Sequence, residues 1–95
     1  MSKAYVIGHV SVIDHDKWAQ YRASVPKTLI PWGGTLVLRG KFKKLLAGQH
    51  QHTDTVVIAF NNISDLNSWF ESSAYQALIP LRESAAKIDL LSFEE

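Results

Sequence analysis

The stretch WGGTLVLRG, residues 32–40, marks the place where a helix pattern ends and a strand pattern begins. Pro31 disfavours further helix, and Gly33 and Gly34 allow the positive φ angles that a helix exit and a chain reversal need. Regular alternation along the strand predicts two faces, one with Thr35, Val37 and Arg39 and the other with Leu36 and Leu38. Arg39 is therefore a lone charge in an apolar strand. It needs solvent, a carboxylate partner or an anionic ligand.

Apolar spacing predicts a strand and a helix before this turn. The strand covers Ala4–Ile13, and Asp14 or Asp16 caps the helix that follows. The inward helix face carries Trp18, Tyr21, Val25 and Leu29. Pro26 lies within this pattern, and an interior proline costs roughly 3 kcal/mol in a helix. We therefore expect a kink or break near Val25.

After the turn, the same patterns predict two more strands and a second helix. Thr55–Phe60 is almost continuously apolar, which is typical of a central strand buried on both faces. Ser64 or Asp65 caps the second helix, Ser72 and Ser73 interrupt it, and Pro80 bends it. The last strand covers Ile88–Phe93. Lys43–Ala47 is either a short strand or a hairpin arm.

The two halves of the chain repeat at an offset of 51 residues (57−6, 65−14 and 69−18). This offset aligns Val6 with Val57, Asp14 with Asp65 and Trp18 with Trp69. A repeated strand-helix-strand unit predicts an α+β, ferredoxin-like βαββαβ domain over residues 1–95, with both helices on one face of an antiparallel sheet. The other face is apolar and would be wet in a monomer. The pattern therefore predicts a homodimer packed sheet to sheet.

Composition restricts the classes of partner. The chain has 95 residues, 46% of them hydrophobic, and a net charge of +1, so it can form a core and has no charge excess that favours nucleic acid or a membrane surface. It has no cysteine, which removes disulfides and thiol chemistry. The first residues show no signal-peptide pattern, and we expect a cytoplasmic protein. No nucleotide-binding or hydrolase motif is present, and we expect no cofactor.

Arg39 leads the candidate functional residues as the anchor for an anionic ligand. Aromatic and imidazole side chains from the first strand and from the helices or their ends complete a predicted pocket between sheet and helices: His9, Tyr21, Trp32, Trp69 and Tyr75. The alternative is that the aromatic residues are core and that Arg39 pairs with Asp54, Glu71 or Asp89.

Histidines offer two further kinds of chemistry. His9, or else Tyr21, is the candidate proton acceptor for an enzyme, with Arg39 stabilising an enolate or carboxylate. His50 and His52 form an H-x-H pair that could bind a metal together with His9 or His15. No carboxylate follows at a fixed ligand spacing, and we predict no metal site.

Several short motifs resemble the domain-of-unknown-function 1330 family nearly from end to end. They are AYVI at 4–7, WxxYR at 18–22, WGG at 32–34, LRG at 38–40, VVIAF at 56–60 and WFxSxxYQ at 69–76. The resemblance implies the dimeric α+β barrel superfamily, with homodimers and a ligand cleft between sheet and helices. That superfamily also includes cofactor-free monooxygenases and isomerases, so the fold alone does not select a reaction.

The chain departs from the family pattern after the arginine. Lys41, Lys44 and Ala47 stand where relatives tend to carry a glycine and acidic residues, and Ala59 replaces an acidic residue of the third strand. If that acid works with the arginine in relatives, the pair is missing here. Three hypotheses result: a homodimer that binds a small anionic or aromatic molecule, a cofactor-free enzyme, or a structural or regulatory homodimer without a substrate.

Overall fold

The computed structural model describes residues 2–95, and its strands and helices follow the βαββαβ order. The elements are β1 (Ala4–Val12), α1 (His15–Leu29), a 3-10 turn (Ile30–Trp32), β2 (Thr35–Lys41), β3 (Asp54–Phe60), α2 (Ile63–Glu71), α3 (Ser73–Gln76), α4 (Ile79–Ala85) and β4 (Ala86–Glu94). The second helical segment is thus divided into three pieces. Residues 42–53 form no helix or strand, so the strand or hairpin arm predicted at Lys43–Ala47 is wrong.

The four strands form one antiparallel sheet in the order β2-β3-β1-β4. This order confirms the predicted ferredoxin-like fold. The strand β3 lies inside the sheet, as its apolar run predicts, with Val6 of β1 opposite Ile58 of β3 and Ser92 of β4.

The helices cover one face of the sheet and form the core there. Side chains at alternate positions of β1, including Val6 and Val10, are buried beneath them. Trp69 and Tyr75 from the second helical segment are at most 1% exposed and pack over Phe60. We refer to this as the helix-facing side and to the opposite one as the outer side.

A β-bulge in β2 decides where Arg39 lies. Leu36 pairs with Ile58 but Leu38 pairs with Val57, so Val37 is an extra residue without a partner. Beyond the bulge Arg39 pairs with Val56, which belongs to the helix-facing side like Ile58. The bulge therefore brings Leu36 and Arg39 to the same side, and the regular alternation predicted from the sequence is wrong here.

The two glycines of the turn have different roles. Gly33 has a φ of 68°, which is the left-handed conformation expected at a helix exit. Gly34 has no positive φ, but a Cβ atom there would lie 2.7 Å from a methyl carbon of Leu29 and 2.8 Å from the ring of Phe60. Gly34 is therefore needed for close packing and not for backbone freedom.

The helix boundaries differ from the predicted ones at two places, the start of α2 and the start of α4. Asp14 caps α1 as predicted, but Asn62 and not Ser64 or Asp65 caps α2, because the Asn62 side chain accepts a hydrogen bond from the Asp65 amide at 2.7 Å. The two capping residues are 48 residues apart (62−14), whereas the predicted repeat has an offset of 51. The repeat therefore aligns the helices and strands of the two halves but not their capping positions. Pro80 lies in the first turn of α4, where its missing N–H leaves no hydrogen bond broken.

Pro26 lies inside α1, and the predicted break is wrong because the helix continues to Leu29. Proline at this position removes only the hydrogen bond to the Arg22 carbonyl. Tyr21, Thr28 and Leu29 are buried on either side of it and hold both parts of the helix against the sheet.

We expect Gly34→Ala to lower the free energy of unfolding by about 1–3 kcal/mol, because the new methyl group overpacks a buried ring. Gly40→Ala is the matched control, since its nearest neighbour would lie at 3.9 Å, and its stability should be unchanged or slightly higher. Urea titrations of both variants test this. Equal stability of the two would contradict the packing role of Gly34.

Candidate functional site

A cleft with a cavity volume of about 430 Å³ lies between α1 and the helix-facing side of the sheet. The helix supplies one wall and the sheet supplies the floor. The wall is formed by Trp18, Tyr21, Arg22, Val25, Pro26 and Leu29, and the floor includes Val6, Val10, Leu36, Arg39, Asp54, Val56 and Ile58. The helix-facing position of Arg39 follows from the bulge. Without that extra residue, its guanidinium would leave the sheet on the outer side.

The cleft is apolar at one end and charged at the other. At the level of Leu36, Ile58 and Val6 the floor is aliphatic, and Trp69 closes this end. Along β3 toward its start, Arg39 lies opposite Val56 and Lys41 lies opposite Asp54. The cleft can therefore hold a molecule with an apolar body and a charged group.

Two guanidinium groups, those of Arg22 and Arg39, line the cleft. Burial and then the positive charge of Arg22 lower the pKa of Arg39 from its ordinary value. Within residues 2–95, neither arginine forms an ion pair. Of the predicted carboxylate partners, Asp54 lies 3.9 Å from Lys41 instead and Asp89 bonds to His52. Two like charges at one cleft attract an anion.

Arg22 is a site residue that the sequence argument missed. It follows Trp18 by four residues and precedes Val25 by three, so helical spacing already placed it beside the predicted inward face. The Arg22 side chain is solvent-exposed and lies at the border of that face, at the mouth of the cleft.

A hydrogen-bonded chain lies behind the cleft wall. The Tyr21 and Tyr75 hydroxyl oxygens are 2.8 Å apart, and the Arg82 Nη1 donates to the Tyr75 hydroxyl oxygen at 3.0 Å. The Trp69 Nε1 donates to the Thr28 Oγ1 at 2.9 Å, which ties α2 to α1. Burial and the neighbouring Tyr75 raise the pKa of Tyr21 well above its ordinary value. Tyr21 therefore keeps its proton and is a poor proton acceptor.

Three predicted pocket residues do not line the cleft. Tyr75 lies behind Tyr21 with no exposed surface, and Trp32 packs against the core from the 3-10 turn. His9 lies on the outer side of the sheet, where its Nδ1 is 2.9 Å from the Thr55 Oγ1. The structure thus brings together Arg39, Tyr21 and Trp69 of the predicted set.

The outer side carries a cluster of three imidazole rings. The His9 ring centre lies 5.0 Å from that of His50 and 6.4 Å from that of His52. Both nitrogens of His52 have partners, Ser11 at Nδ1 and Asp89 at Nε2. In the described part of the chain, no group of three or more His, Cys, Asp or Glu side chains is arranged to hold a metal ion.

Apolar side chains surround this cluster on the outer side. Ile7, Val57 and Leu91 lie at one level of the sheet, and Leu91 is 41% exposed. The loop of residues 42–53 adds further exposed apolar side chains, and Leu46 reaches 88% exposure. No helix of residues 2–95 covers this face. No helix in these residues is long and apolar enough to cross a membrane either.

The sequence model described as a domain of unknown function, DUF1330, matches residues 3–95. The chain belongs to this family. No curated protein matches it. The DUF1330 fold is shared by a protein of unknown function from Rhodopseudomonas palustris, with a TM-score of 0.82, 13% identity and coverage of 99% of this chain and 82% of that one.

Two other solved structures share the DUF1330 fold. A dimeric ferredoxin-like protein of unknown function from Jannaschia sp. CCS1 has a TM-score of 0.75 and 11% identity, and the match covers 98% of this chain and 99% of that chain. SnoaB, a cofactor-independent oxygenase from Streptomyces nogalater, has a TM-score of 0.68 and 9% identity, with coverage of 98% and 92%. At these identities the comparison shows the fold and not the activity.

The four residues that the sequence analysis singled out as departures from the family pattern lie in different parts of the structure. Ala59 pairs with Tyr5 and Thr35 on the outer side, whereas Arg39 lies on the helix-facing side. An acidic side chain at position 59 would therefore leave the sheet on the opposite face from Arg39. Lys41 lines the charged end of the cleft, while Lys44 and Ala47 lie in the loop. The hypothesis that Ala59 breaks a working pair with Arg39 is wrong in this geometry.

We expect Tyr21 to stay protonated in the folded DUF1330 protein at about pH 11, above the ordinary tyrosine pKa of about 10. Near-ultraviolet difference absorbance should show the same number of phenolates in the wild type and in Tyr21→Phe at this pH. Circular dichroism checks that both remain folded. One additional phenolate in the folded wild type would contradict the retained proton on Tyr21.

Proposed function

We propose that this DUF1330 protein binds a small organic anion in the cleft, with Arg39 and Arg22 holding its negative charge. The observation that carries the proposal is that both arginines line one cleft, which is apolar at its other end, and that neither has a carboxylate partner within residues 2–95. A carboxylate can accept two hydrogen bonds from one guanidinium and is attracted by both charges.

The walls favour a ligand with an apolar or aromatic body. Trp18 and Tyr21 stack on each other with ring centres 5.2 Å apart, and Trp69 and Leu36 extend the apolar surface. A cavity of about 430 Å³ lies in the range that holds small organic ligands. Aliphatic and aryl carboxylates are therefore the ligands we propose.

We also propose that the functional unit is a homodimer in which the outer sides of two sheets pack together. The exposed Leu91 and Phe93 and the apolar loop residue Leu46 support this arrangement, since a monomer would leave them in water. Solved structures with this fold are described as dimeric, including the protein from Jannaschia. A cytoplasmic location remains a prediction.

The cleft supports binding better than catalysis without a cofactor. The two proton acceptors predicted for an enzyme are His9 and Tyr21. The first lies on the outer side of the sheet, and the raised pKa of the second keeps it protonated. SnoaB, the cofactor-independent oxygenase, shares only 9% identity with this chain, so its activity does not transfer. Binding is therefore the function that we propose.

Removing the guanidinium of Arg39 should weaken anion binding. We expect 4-phenylbutanoate to bind the wild type and to bind Arg39→Met and Arg22→Met at least about tenfold more weakly, because charge-assisted hydrogen bonds are lost. Isothermal titration calorimetry measures the affinities. Lys27→Met, which removes an exposed cation from the same helix as Arg22 but outside the cleft, is the matched control. Benzoate and phenylacetate are tested as further aryl carboxylates. The neutral 4-phenylbutanamide tests whether binding needs the negative charge. If no carboxylate binds, or if the amide binds as well as its acid, the proposed anion site is wrong.

Introducing a charge on the outer side should separate the dimer. We expect Leu91→Asp to sediment as a folded monomer at micromolar concentration, because burying an unpaired carboxylate opposes association. Ile30→Asp is the control, since Ile30 is exposed on the 3-10 turn and lies away from the sheet. Analytical ultracentrifugation distinguishes the monomer expected for Leu91→Asp from the dimer expected for Ile30→Asp. A monomeric wild type would overturn the homodimer.

A further inference from the structure

The hydrogen-bonded chain behind the cleft has a direction that follows from its burial. Tyr75 has no exposed surface, and its hydroxyl accepts a hydrogen bond from the Arg82 Nη1 at 3.0 Å. Within residues 2–95, the only other oxygen within hydrogen-bonding distance of this hydroxyl is that of Tyr21, 2.8 Å away. A buried hydroxyl needs an acceptor for its hydrogen. Tyr75 must therefore donate to Tyr21.

This direction leaves the hydrogen of Tyr21 without an acceptor among residues 2–95. The Tyr21 oxygen is engaged as an acceptor, and Tyr75 is its only hydrogen-bond partner there. Tyr21 is 7% exposed, but it lines the cleft. The cleft that Tyr21 lines can supply an acceptor for this hydrogen.

We propose that the Tyr21 hydroxyl donates a hydrogen bond to an oxygen atom on the body of the bound anion, so that the ligand is a carboxylate that also carries a carbonyl, such as an aryl oxo acid. This inference rests on the proposed function, because the carboxylate is held by Arg39 and Arg22. It adds a second polar contact, at the tyrosine wall of the cleft.

The charge behind the chain strengthens this donor. Arg82 donates to Tyr75, and Tyr75 donates to Tyr21, so each hydroxyl is polarised by the one behind it. Arg82 is itself largely buried at 13% side-chain exposure, and its buried Nε has no partner within residues 2–95. The positive charge of Arg82 acts against the effect of burial on the pKa of Tyr21 without outweighing it, so Tyr21 remains a neutral donor.

The guanidinium contact and the Tyr21 contact lie close together in the cleft. Tyr21 and Arg22 are consecutive residues of α1, and Arg39 faces them from β2. An anion held between the guanidinium groups would therefore have its apolar body beside the tyrosine ring. A carbonyl oxygen on that body can replace the hydrogen-bond partner that Tyr21 has in water.

The test compares 4-oxo-4-phenylbutanoate with 4-phenylbutanoate, which lacks the carbonyl oxygen. We expect the wild type to bind the oxo acid about five- to tenfold more tightly, as for one buried hydrogen bond to a neutral group. Tyr21→Phe should lose this preference and bind the two acids with equal affinity. Tyr5→Phe is the matched control, because the Tyr5 hydroxyl lies on the outer side and bonds to Glu95. It should keep the preference.

The outcomes separate this inference from the function on which it rests. Binding of neither acid overturns the proposed function and the inference with it. Equal binding of both acids by the wild type, with loss of both in Arg39→Met, leaves the anion site standing and overturns the donor role of Tyr21. If Tyr21→Phe weakens both acids equally, the hydroxyl only supports the wall, and the inference is wrong. Circular dichroism and urea titration of each variant exclude loss of folding as the cause.

Discussion

The contact between α1 and the second helical segment holds this fold in its functional shape. It consists of two buried side-chain hydrogen bonds, one between Trp69 and Thr28 and one between Tyr21 and Tyr75. Both join residues more than 40 positions apart, so they bring the two halves of the repeat into one layer over the sheet. Trp69 and Tyr75 fill the space beneath the helices there, and the cleft opens beside Trp69, between α1 and the sheet. The cavity is thus set by side chains that are themselves tightly packed.

Residues that are neighbours in the sequence of one strand contribute to two different surfaces of the sheet. Alternate residues of each strand go to the helix-facing and the outer side, so one nine-residue strand such as β1 contributes to both. Val6 and Val10 contribute to the core and the cleft, whereas Ile7 and His9 contribute to the outer side. The anion binding and the self-association that we propose would therefore use different residues of the same strands. Substitutions on one side need not disturb the other.

Much of the fold could be predicted from the sequence because it depends on local patterns. Apolar alternation located the strands, and Asp14 identified the start of α1 because capping is a local interaction. The site was harder, since it depends on contacts between distant residues. Alternation along β1 already places His9 on the side opposite Val6 and Val10, whereas the border position of Arg22 depends on how α1 is placed over the sheet. The direction of Arg39 depends on a single extra residue in β2, for which alternation has no signal.

That extra residue at Val37 also affects how copies of the molecule can assemble. The strand β2 is at the edge of the sheet, where unpaired backbone groups could recruit a strand from another molecule and begin an open-ended chain of sheets. The bulge interrupts the regular ladder in the middle of this edge, between Leu36 and Leu38. Continuous edge-to-edge growth is therefore disfavoured along the exposed apolar stretch where it would be most harmful. Association through the flat outer side instead closes on itself after two copies, and a closed pair cannot elongate into a fibre.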